Sequence, residues 1–71
     1  MSSNVHRRMF LVKGAAANTW AVVAEGFEEC HLFESEALAL AYAGLWAASH
    51  PPSQVILRHG TGIASFVRDF G

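Results

Sequence analysis

The sequence predicts an α+β fold in the order βββαββ, with one helix packed on an antiparallel sheet to make two layers. Three observations predict it. Short runs rich in β-branched and aromatic residues occupy both ends of the chain, one alanine-rich stretch between them closes at Pro51-Pro52, and glycine-bearing links suited to hairpins separate the runs. Hairpins favour antiparallel pairing, and the helix is the one long crossover.

Residues 1–8 are polar, carry Arg7 and Arg8, and read as a flexible N-terminal arm ahead of a single domain over 9–71. Met9 to Lys13 is a continuous apolar run suited to a strand buried on both faces, and Gly14 to Asn18 follows as a loop. Thr19 to Ala24, centred on Trp20, Val22 and Val23, is a second strand. Glu25 to Glu29 combines Gly26 with three acids and marks a turn, after which Cys30 to Phe33 is a third strand. Ser35 caps a helix that begins at Glu36, where the helix dipole favours an acid. That helix must stop near His50, because each proline disfavours α conformation in the residue before it. Gln54 to Arg58 and Ile63 to Arg68 form the last hairpin around His59-Gly60-Thr61-Gly62, whose glycines can take positive φ. The lengths agree: about 14 helical residues span ~21 Å, and six-residue strands span ~20 Å.

Composition bounds the rest. A chain of 71 residues that is 52% hydrophobic and 15% charged will fold as one domain instead of staying disordered. A core of this size rarely supplies more than roughly 3 to 5 kcal/mol, so additional support is expected. Cys30 is the only cysteine, which excludes an intrachain disulfide and suits a reducing, cytoplasmic setting. The formal charge of -1 lacks the basic excess of nucleic-acid-binding domains. Ala37 to Ser49 is too short for a membrane span of about 20 residues, and Arg7 and Arg8 are not followed by a signal-peptide core.

Association between copies is the expected support. Placed at 100° intervals, Leu38, Ala41, Tyr42, Leu45 and Ser49 form a sheet-facing stripe flanked by Trp46. The opposite face holds Ala39, Leu40, Ala43, Gly44 and Ala47, and no charge follows Glu36 within the helix. Those five residues are the expected contact of a homodimer, with Leu40 as its knob, and Leu40→Asp is expected to break it. Both faces of the sheet also carry large apolar groups, whereas one helix covers only one of them.

No catalytic, cofactor or metal set emerges. Cys30 and His31 are strand neighbours that point to opposite faces, with the cysteine expected to pack and the histidine to face solvent. His6, His31, His50 and His59 lack zinc-type spacing, and His50 is placed to stabilise the helix C-terminus. Gly60-x-Gly62 precedes a strand and so is a turn, not a phosphate loop. Arg58, His59 and Arg68, joined by Arg7 and Arg8 of the arm and with Trp20 nearby as a stacking surface, are an alternative patch for single-stranded nucleic acid.

Trp20-Ala21-Val22, the alanines of the helix after Phe33-Glu34-Ser35, Val55-Ile56-Leu57, His59-Gly60-Thr61-Gly62-Ile63 and the terminal Phe70-Gly71 resemble a small bacterial family catalogued as domain of unknown function 2188. The likeness runs from Phe10 onward. It implies the same fold and transfers no functional residue, and this sequence lacks the basic residues that often surround the family's helix and final hairpin. The expectation is therefore a non-enzymatic, homo-oligomeric interaction module that needs no cofactor and is open to an unidentified protein partner, with weak nucleic-acid binding as the alternative.

Overall fold

The computed structural model describes residues 6–60 and 62–71. Its elements are β1 (Arg8–Ala16), β2 (Thr19–Ala24), β3 (Cys30–Phe33), α1 (Glu36–Ala48), β4 (Ser53–His59) and β5 (Ile63–Phe70). The architecture is α+β, one helix on one five-stranded sheet of order β3-β2-β1-β4-β5. The sheet is mixed, not wholly antiparallel as expected. The hairpin pairs are antiparallel, but β1 runs parallel to β4, from Arg8 opposite Ser53 to Lys13 opposite Arg58. The reason is geometric. Strand β3 ends at the same end of the sheet as β1, and a 13-residue helix as long as the strands returns the chain to the other end. Strand β4 must then start beside the start of β1.

Strand β1 continues through the expected loop, leaving Ala17 and Asn18 as the turn, with Asn18 at φ 61. Asparagine tolerates this left-handed conformation better than most residues. In the last hairpin Gly60 takes φ 65, while Thr61 lies outside the described residues. Residues 1–5 of the expected arm also lie outside them. The rest of that segment is engaged: His6 Nε2 lies 2.8 Å from the Glu25 carboxylate, and Arg8 belongs to β1. Arg7 donates to the carbonyls of Phe70 and Gly71 at 3.3 and 3.2 Å.

Ser35 caps α1, its Oγ accepting from the Leu38 N–H at 3.1 Å. At the other end the Ser53 hydroxyl, fully buried, donates to the Ala47 carbonyl at 2.6 Å and ties β4 to the last helical turn. The His50 Nδ1–H donates to the Trp46 carbonyl at 3.1 Å, which places this ring at the negative helix end, as expected.

The core lies between α1 and one face of the sheet. Phe10, Val12, Val22, Val55 and Leu57 meet Ala39, Ala43 and Ala47 there. This reverses the expected helix phase. Leu38 and Leu45, assigned to the sheet side, are 57% and 73% exposed, while the three alanines assigned to a partner are fully buried. Bulk explains the inversion: the sheet supplies large side chains, and only a flat alanine face lets the helix backbone settle onto them at close-packed density. Tyr42 and Trp46 fill the flank, with Trp46 edge-on to Phe10 and to Phe27 at centroid distances of 5.2 Å.

Candidate interaction surfaces

The helix leaves one sheet face bare. Pairing register puts Met9 and Leu11 of β1, Val23 of β2, Leu32 of β3, Ile56 of β4 and Phe66 of β5 on it. Met9, Leu32 and Phe66 are 40%, 62% and 59% exposed, and Leu11, Val23 and Ile56 lie half-buried between them. Charge frames this apolar strip. Lys13 and Arg58 are register partners at one end, and Asp69 stands level with Gln54 and Met9 at the other, ~13 Å away along the strands. Asp69 is 3.9 Å from Arg7.

On the helix side, α1 stops short of β5 and leaves a groove of about 400 Å³. Leu40, Ala41, Gly44 and Leu45 form one wall, and Val67, Arg68 and Phe70 the other. A β-bulge builds the second wall. Phe66 pairs with Ile56, but Arg68, not Val67, pairs with Val55, so one residue is extra. A one-residue shift carries later side chains to the other face. In a regular ladder Arg68 would join Arg58 and Phe66 on the bare face; the bulge moves it into the groove, with its guanidinium 5.0 Å above the Phe70 ring.

The expected dimer contact is therefore corrected. Ala39, Ala43 and Ala47 are spent on the protein's own sheet, and Leu40 packs partly against the core. Leu40 and Gly44 keep a half-exposed edge only along the groove. The alternative patch is dispersed as well. Arg58 lies on the bare face, His59 is on the helix side 6.1 Å from the Trp20 ring centroid, and Arg68 is in the groove. Arg8 does not join them, since its guanidinium lies 4.9 Å from the Phe27 ring centroid. The hairpin spacing gave no sign of the bulge that separates the two arginines.

Cys30 and His31 do face opposite ways, but with exposures reversed from those expected. Cys30 is exposed on the bare face, whereas the His31 ring packs on Tyr42 and Trp46 at 4.8 and 5.3 Å. Its Nε2 lies 3.3 Å from the Tyr42 hydroxyl. A second depression of about 390 Å³ is ringed by His6, Arg8, Ser49, His50, Pro51 and Pro52. Its polar groups are already committed: His6 to Glu25, Arg8 to Phe27 and His50 to the helix end. Glu25 also accepts from the Met9 N–H at 3.1 Å. That bond, and then the His6 contact, hold its pKa below the ordinary carboxyl value. Among the described residues no three His, Cys, Asp or Glu side chains gather as a metal site, and no helix is long and apolar enough to cross a membrane. Comparison with protein-family models, curated proteins and solved structures gives no match for this chain.

Proposed function

We propose that the chain is a non-catalytic homodimeric interaction module in which two copies pair through their bare sheet faces. The observation that carries this reading is the row Cys30, Val23, Leu11, Ile56 and Phe66 that crosses all five strands on the face opposite the helix, with Met9 and Leu32 exposed on either side of it. Size supports it. Five strands at ~4.8 Å and about six residues of ~3.3 Å each present roughly 450 Å² per copy. Two such faces bury at most about 900 Å², the size of a weak interface, which fits a dimer that forms in the micromolar range. Charge bears on the orientation, because an antiparallel two-fold arrangement keeps the Lys13/Arg58 ends of the two copies apart, whereas a parallel one would stack four cations.

Sedimentation equilibrium from low to high micromolar concentration tests the reading. The expected result is a dimer mass in the wild type and a monomer mass for Phe66→Asp with far-UV circular dichroism unchanged. Monomer mass for the wild type across the whole range refutes it. Leu40→Asp is not the variant for this purpose, because Leu40 packs against the protein's own core and its loss would weaken the fold first.

A further inference from the structure

We propose that the groove between α1 and β5 binds a small amphipathic carboxylate, with its apolar part against Gly44 and Val67 and its anionic head on Arg68. At about 400 Å³ the groove falls within the roughly 300 to 1,000 Å³ of small-molecule sites. Its depth comes from small residues. A Cβ built on Gly44 would meet nothing within 4 Å, so the helix leaves this space open where a larger residue would both fill it and favour the helix.

The β-bulge aims the chemistry. It brings Val67 and Arg68, consecutive residues that a regular strand would point apart, to the same groove. Phe70 beneath the guanidinium holds it beside apolar surface, and among the described residues no carboxylate stands within ion-pair distance of it. A planar fork of donors next to an apolar trough matches a carboxylate that carries a hydrocarbon tail. The groove lies on the helix side, so pairing of the bare sheet faces leaves it open and the two proposals fail independently.

Titration of the ¹⁵N-labelled full chain with sodium octanoate, with octan-1-ol as the uncharged analogue, tests the site. Octanoate is expected to shift the amides of Gly44, Leu45, Val67 and Arg68 saturably and to bind about tenfold more tightly than octanol, as a charge-assisted hydrogen bond predicts. Arg68→Gln should erase that preference and leave octanol binding unchanged, while Gly44→Leu should abolish both with the protein folded. The proposal is overturned if no saturable shift occurs or if the shifts fall on the bare sheet face. It is equally overturned if Arg68→Gln keeps the octanoate preference, or if the tetrapeptide Ala-Ala-Ala-Leu with a free C-terminus binds more tightly than octanoate.

Discussion

Which side of α1 faces the sheet can be decided by a crossed pair of substitutions, Ala43→Leu and Leu45→Ala. Ala43 is fully buried between helix and sheet, so the extra carbons of leucine must displace the helix or force strained rotamers. Overpacking of this kind costs about 1 to 3 kcal/mol. For a domain this small each kcal/mol moves Tm by roughly 4 to 8 °C, and a mid-range cost of about 2 kcal/mol lowers it by about 8 to 16 °C. Leu45 is 73% exposed and has about a quarter of its surface covered. Full burial of a leucine is worth about 1.5 to 3 kcal/mol, so its truncation should cost below about 1 kcal/mol. The opposite helix phase predicts the reverse order, with Leu45→Ala costing about 2 to 5 kcal/mol and Ala43→Leu near neutral. Urea and thermal unfolding at one fixed protein concentration, which holds any association term constant, reads both values. A larger loss for Leu45→Ala than for Ala43→Leu refutes the packing described.

Two further outcomes follow from the helix end and the start of β1. Ser53→Ala should cost about 1 kcal/mol in chemical unfolding, the net worth of one hydrogen bond, because the Ala47 carbonyl keeps the His50 N–H at 3.0 Å. Glu25 has a folded pKa below its ordinary value of 4.5, so its contribution is complete above that value and fades as pH falls through the lowered one. The protection of the Met9 amide, its exchange rate taken relative to the intrinsic rate at the same pH, should therefore fall in acid, and Glu25→Gln should lower that protection at neutral pH and remove its change with pH.

The fold was legible wherever local chemistry decides it. Strands β2 and β3 and the helix start at Glu36 match the sequence boundaries, because glycine, acidic turns and the Ser35 cap act on their nearest neighbours. The apolar second sheet face was legible too, in the large residues that alternate along the β1 and β4 runs. Helix phase was not. A segment with no charge after Glu36 gives almost no directional signal, and ranking leucine above alanine chose the wrong side, since the shape of the sheet and not side-chain hydropathy decides which face fits. The parallel β1–β4 pair follows from counting strand directions, whereas expectation rested on the hairpins alone. The bulge between Phe66 and Arg68 has no residue signature here, and without it the arginine positions could not be sorted between faces.

Joining the first strand to the fourth at the middle of the sheet makes folding of this small chain a late, collective event. Each hairpin can flicker into shape alone, but Phe10 and Val12 stay wet until α1 arrives and the long intervening loop is closed, which costs entropy before any burial repays it. A nascent polypeptide stalled after Phe33 would hold nothing stable. Peptides corresponding to residues before and after that point should each be unstructured alone and acquire helix only when mixed.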